Sequence, residues 1–170
     1  MACRISLLLI IVLYTILTSC TVSYGLSGAN INYTKVKTMS IQTFQNRATL
    51  VQPGLNNLLT NALIDKCKAQ TKLNLITGIG DVNFEGEIKD YNTRPLTVAA
   101  DSRAAMNRFT ITIKVKFTNS TDTELSYEKE FSRYQDYDSA SELSAVESTL
   151  VDKIVTLLVE DIFNEAFVKW

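Results

Sequence analysis

In "RFTITIKVKFTN", residues 108–119, apolar and polar side chains alternate without a break. Successive side chains of a strand point to opposite faces. Phe109, Ile111, Ile113, Val115 and Phe117 therefore form one face, and Thr110, Thr112, Lys114, Lys116 and Thr118 the other. Such a strand belongs to a sheet that is covered on one side and meets water or a polar surface on the other. Its neighbours carry the same period. In "VNFEGEIKDY", Val82, Phe84, Gly86 and Ile88 alternate with Asn83, Glu85, Glu87 and Lys89; in "ELSYEKEFSRY", Leu125, Tyr127 and Phe131 oppose Ser126, Glu128 and Glu130. "NSTDTE" between the last two runs has the length of a hairpin turn. The outer face mixes lysines with glutamates, the composition that cross-strand pairing requires.

Two helical patterns flank these strands. Pro53 and Gly54 break the chain, and Leu55, Leu58, Leu59, Ala62, Leu63 and Cys67 then recur at three- and four-residue spacing to about Lys72. Cys67 on that stripe is expected to be a buried, inert thiol. The second pattern opens at "DYDSASELS", where Ser139 and Glu142 have capping-box spacing, and runs to Val168. Val151, Val155, Val159, Phe163 and Phe167 widen its apolar stripe beyond what one sheet face needs, which points to a partner or a lipid. "KVKTMSIQTF" reads as a first strand, Lys35 to Phe44, and "NRATLVQPG" as a loop. The expected order is β-α-β-β-β-α. The fold class is α+β, a two-layer α/β sandwich with two helices on one face of a mixed four-stranded sheet.

The chain opens with Arg4, an apolar run and then "LTSC", residues 17–20. This is the layout of a secretory signal, and Leu17-Thr18-Ser19-Cys20 resembles the bacterial lipobox, whose cysteine thiol is joined to a diacylglycerol and becomes the first mature residue. Residues 1–19 are read as a lipoprotein signal peptide, Cys20 as the lipid-attachment site, residues 20–34 as a Ser-, Gly- and Asn-rich tether, and residues 35–170 as a single domain. Apolar runs after Cys20 are only a few residues long, and no membrane-spanning helix is expected there.

Loss of Arg4 from 17 basic residues leaves 16 against 18 acidic ones. That balance gives no general field for polyanions and argues against nucleic acid as a partner. With Cys3 removed and Cys20 lipidated, Cys67 has no thiol to pair with, so packing must hold the domain together. The chain has no histidine, which removes histidine triads and the usual zinc sites. Glu85 and Glu87 lie two apart on one strand face but read as a solvated charge ladder rather than a glycosidase pair. Asp136 and Asp138 lack the other ligands of a calcium loop. "GIGD", residues 78–81, precedes a strand and is a turn rather than a phosphate loop. No catalytic residue set, metal site or cofactor is read.

The segments "YGLSGANI", "KTMSIQTFQNRATLVQPGL", "LTNALIDK", "QTKLNLI", "GDVNFEGEIKDY", "RFTITIKVKFTN", "FSRYQDYDS" and "LVEDIFNEAFVKW" together resemble the LPS-assembly lipoprotein family LptE, in its Bacteroidota form. The resemblance implies a two-helix, four-stranded sandwich without enzymatic activity. It further implies a plug and assembly partner for LptD, a large outer-membrane β-barrel, with LPS as a second candidate contact. The charged sheet face and the loop at 92–106 are the natural candidates for contact with the barrel. No LPS-binding residue transfers to a position in this chain. "TVSYGL" after Cys20 lacks an acidic export cluster, and Thr21 is not the aspartate of inner-membrane retention, so a periplasm-facing outer-membrane anchor is expected. The alternative is a generic periplasmic lipoprotein that binds lipid or scaffolds another envelope complex. Finally, "DSA" at 138–140 resembles the Bacteroidota O-glycosylation motif, with Ser139 as acceptor; a plain helix cap is the competing role.

Overall fold

The computed structural model describes residues 31–50, 52–96 and 105–168. Its strands are β1 (Thr38–Ile41), β2 (Gln45–Asn46), β3 (Asn74–Leu75), β4 (Val82–Leu96), β5 (Met106–Asn119) and β6 (Tyr127–Asp138). Its helices are α1 (Leu55–Gln70), between β2 and β3, and α2 (Leu143–Phe167), after β6. The sheet has six strands rather than four, in the order β3-β1-β4-β5-β6, with β2 also paired to β4. Pairings β1–β3, β1–β4 and β2–β4 are parallel; β4–β5 and β5–β6 are antiparallel. The mixed α+β class with two helices holds, and the expected strand number is corrected.

The two extra strands are two-residue segments whose side chains are all exposed, so neither leaves a periodic signature. β2 exists because the expected strand Lys35–Phe44 is interrupted. Ile41 pairs with Phe84 and Gln45 with Glu87, which leaves one more residue on the β1–β2 side than on β4. The surplus lets Phe44 turn into the core at 1% exposure. Its N–H leaves the ladder and donates to Thr60 Oγ1 of α1 at 3.1 Å. The ring occupies the space above Gly86, where any Cβ would collide with it. A glycine inside a strand often marks such a close approach.

β4, β5 and β6 carry the alternation read in the sequence. Phe84, Ile88, Phe109, Ile111, Ile113, Val115 and Phe117 are all at most 1% exposed and meet the helices. The β4–β5 register slips between Ile88 and Asp90. Such a bulge re-aims the side chains beyond it, and Tyr91 comes inward at 7% exposure. Its ring meets Phe109 edge to face at 4.8 Å, and its hydroxyl donates to Glu147 Oε1 of α2 at 2.5 Å.

α1 starts after Gly54, whose φ of +86° favours glycine. Leu55, Leu59, Leu63 and Cys67 are buried, whereas Leu58 is exposed. Thr71 ends the helix through N–H and Oγ bonds to the Cys67 carbonyl at 2.9 and 2.7 Å. α2 begins three residues later than a Ser139 cap would require, and its N-cap position, Glu142, makes no side-chain cap bond. The capping box is therefore absent. The Ser139 N–H instead bonds to the Ala105 carbonyl at 3.0 Å, and Asp138 turns the chain by accepting from the Ala140 N–H at 2.8 Å.

The wide apolar stripe of α2 is used internally. The helix packs against α1 as well as against β5 and β6. Leu150, Val151, Ile154, Val155, Leu158, Val159, Ile162, Phe163 and Phe167 are all buried. The expectation of surplus apolar surface on this helix is corrected, because a helix wedged between a sheet and another helix needs two stripes. Phe84, Phe117, Phe163 and Phe167 form an aromatic cluster with ring centroids 4.8–5.9 Å apart. No described helix is long and apolar enough to cross a membrane.

Candidate interaction surface

The sheet face turned away from the helices is built by register. Lys116 lies between Glu85 and Glu128, and Lys114 between Glu87 and Glu130. Lys114 contacts Glu128, Lys89 reaches Glu130 at 3.4 Å, and Lys116–Glu85 and Arg47–Glu87 each stand at 3.9 Å. Farther along, Arg108 forks onto Asp136 with bonds of 2.8 and 3.0 Å and lies 3.6 Å from the Tyr134 ring centroid. Thr112 and Ser132 hydroxyls meet at 2.9 Å between these charge groups. Five basic side chains thus pair with five acidic ones across this polar surface.

Electrostatics follow from this pairing. The Lys114 hydrogen bond and charge hold Glu128 below the usual carboxylate range, and Glu128 raises Lys114 in return. The Arg108 hydrogen bond lowers Asp136, and the same bond raises Arg108. All four are solvent-exposed ion-pair members, whose individual contribution to stability is small. Their consequence is a surface with fixed charge pattern and little net field.

β6 is the long outer strand of the sheet, and two inward-facing charges guard its edge. Lys129 Nζ bonds Glu165 Oε2 at 2.8 Å, and Arg133 forks onto Asp161 with both bonds at 2.5 Å. These pairs tie β6 to α2. Inward charges on an edge strand also discourage pairing with another chain.

The other sequence candidates take structural places. Glu85 accepts from Asn83 Nδ2 at 2.8 Å and, like Glu87, faces a cation across the ladder. Asp136 serves Arg108 and Asp138 serves the backbone turn. Among the described residues, no group of three His, Cys, Asp or Glu could hold a metal. Cys67 is buried, and burial pushes its thiol up to about 12. "GIGD" is a turn that locks two chain segments together. The Gly80 N–H donates to Ser40 Oγ at 2.9 Å, and Asp81 accepts the N–H groups of Lys37 and Thr38 at 2.8 and 2.9 Å. Ser139 is exposed on its turn. Cys20 lies outside the described residues. Of the expected loop 92–106, residues 92–96 belong to β4 and Met106 to β5; residues 97–104 lie outside the described set. The Arg108–Tyr134–Asp136 group is not singled out by the sequence reading, although extending the hairpin register from Phe117–Tyr127 places Arg108 opposite Asp136.

The family model LptE, lipopolysaccharide-assembly, matches residues 36–166. Among solved structures, a minor lipoprotein from Acinetobacter baumannii is 12% identical with a TM-score of 0.50, covering 76% of this chain and 91% of its own. A neuraminyllactose-binding hemagglutinin homolog from Helicobacter pylori is 7% identical with a TM-score of 0.52, covering 76% and 82%. An uncharacterized lipoprotein B from Nitrosomonas europaea is 14% identical with a TM-score of 0.49, covering 75% and 80%. No curated protein matches the chain. At such identities the first two of these matches show fold only. The family model spans most of the chain, and the chain belongs to the LptE family of lipopolysaccharide-assembly proteins.

Proposed function

We propose that this protein is a non-enzymatic outer-membrane lipoprotein that acts as plug and assembly partner of an LptD-like β-barrel. The observation that carries the reading is the sheet face on which five cations and five carboxylates neutralise one another. Lumens of large outer-membrane barrels are polar. A polar face whose cations are mostly paired with carboxylates can lie against such a wall while burying little uncompensated charge, which would be costly. Family membership supplies the lipopolysaccharide-assembly context, and LPS is the second ligand of the proposal. An obligate contact of this kind buries more than about 2,000 Å² and survives mild detergent. Affinity purification of the tagged protein from native membranes is expected to recover the barrel near 1:1, and depletion is expected to block barrel assembly. Recovery of the protein alone, with the barrel functional in its absence, would leave the generic lipoprotein role.

Two modifications complete the proposal. Cys20 carries the lipid that holds the protein on the periplasmic face of the outer membrane. Cys20→Ala is expected to yield uncleaved precursor or soluble periplasmic protein, read by membrane fractionation; membrane retention unchanged from wild type contradicts the anchor. Ser139 carries an O-glycan; its exposure on a turn and its absence from the helix cap support that role. An intact native mass equal to the lipidated polypeptide alone excludes the glycan.

A further inference from the structure

Among the described residues, seven cations take no part in an ion pair, Lys35, Lys37, Lys66, Lys68, Lys72, Arg94 and Lys153, and four of them gather at one end of the fold. Lys35 and Lys37 precede β1, Lys72 precedes β3, and Lys68 sits in the last turn of α1. None of these four takes part in an ion pair among the described residues. β1 and β3 are neighbouring parallel strands, with Thr38 beside Asn74 and the Asn74 N–H bonded to the Lys37 carbonyl at 2.9 Å. The register therefore gathers the starts of both strands and the end of α1 at one end of the fold. All four lysines are exposed there. Acidic residues at or beside that end are Asp65, Asp81, Asp122, Glu124 and Glu165, the last bonded to Lys129. Asp81 is occupied by the backbone N–H groups of Lys37 and Thr38, and Asp122 accepts from the Glu124 N–H at 3.2 Å.

The described chain also begins at this end. Ile31 and Lys35 line the same depression as Val82, Asn119 and Phe167. Cys20 is 11 residues before Ile31, and a chain spans at most about 3.6 Å per residue. The reach from the lipid site to the lysine end is thus no more than about 40 Å. We infer that the Lys35–Lys37–Lys68–Lys72 cluster docks on the anionic phospholipid headgroups of the leaflet that receives the anchor. The inference rests on the reading of Cys20 as the lipid site for its geometry. Charge complementarity carries it otherwise: the sheet face pairs five of its cations with carboxylates, and this end pairs none of these four. The far end, where β4 meets β5 at Leu96 and Met106, then points away from the membrane.

The test uses the mature chain, residues 20–170, with Cys20→Ala, so that no acyl chain contributes and failure of the anchor reading cannot imitate failure of this one. Binding is measured by flotation with phosphatidylcholine vesicles containing one-third phosphatidylglycerol, and with pure phosphatidylcholine. Binding is expected only to the anionic vesicles, and it is expected to weaken as salt is raised. A basic residue near an anionic surface contributes about 1 kcal/mol, or roughly five-fold. Lys37→Gln with Lys72→Gln is expected to weaken binding about 25-fold. Arg94→Gln with Lys153→Gln, the same charge removed from two other exposed sites, is expected to change it less than three-fold. Absence of phosphatidylglycerol-dependent binding, or equal losses in both pairs, overturns the inference. So does a Lys37/Lys72 pair that loses binding to LPS micelles while keeping vesicle binding.

Discussion

A Cβ on Gly86 would collide with the ring of Phe44, which ties one residue of β4 to the turn that interrupts the first strand. Gly86→Val is expected to destabilise the domain by about 1–3 kcal/mol through overpacking, read as a lower urea midpoint. The loss should be less than additive with Phe44→Ala, since the smaller side chain vacates the contested space. Additive losses would contradict the contact. Asp81 gives a second residue-scale test. Its bonds to the Lys37 and Thr38 N–H groups hold its carboxyl below the usual aspartate range. A carboxylate depressed on folding contributes stability that is fully present above its unfolded pKa of about 3.9 and is lost as pH falls through the folded value. Acid titration of wild-type stability is expected to show that loss below about pH 4, and Asp81→Asn to flatten it. An unchanged acid limb would exclude Asp81 as a source.

At the scale of elements, β6 combines an open edge with inward charges at Lys129 and Arg133. Each pair joins a half-exposed cation to a carboxylate of α2 that is only 15% or 25% exposed. Such partly exposed pairs contribute on the order of 1 kcal/mol each. Lys129→Thr with Arg133→Thr is therefore expected to lower stability only modestly. The same change is expected to promote self-association, seen as a concentration-dependent shift in sedimentation, because it removes the obstacle to edge pairing. A monodisperse double variant would show that the edge is protected in another way. The elements legible in the sequence are those with a long period: the alternation from Phe109 to Phe117, and the helical spacing from Leu55 to Cys67. β2 and β3 were not legible, because Gln45–Asn46 and Asn74–Leu75 are two-residue segments at exposed positions, too short to show a period. The Ser139–Glu142 spacing misled for a tertiary reason: the Ala105 carbonyl takes the Ser139 N–H and extends the sheet where a cap was expected.

For the whole molecule, the two faces of the sheet divide the work. One face and two helices bury a continuous core, and the other is a charge-balanced polar surface. Its lysine–glutamate ladder was legible from alternation alone, whereas the Arg108–Tyr134–Asp136 group needed the hairpin register. The apolar stripe of α2 was legible as well, but its use was not, because periodicity does not reveal how many neighbours a helix has. The proposed partner surface is therefore the sheet face rather than α2. A photo-crosslinking residue at Thr112, between the two charge groups of that face, tests this assignment most directly when compared with one at exposed Thr156 of α2. In native membranes, the account predicts a covalent adduct between position 112 and the LptD-like barrel that is stronger than any from position 156. Barrel adducts only from position 156, or none from either position while the protein remains membrane-bound, would contradict it.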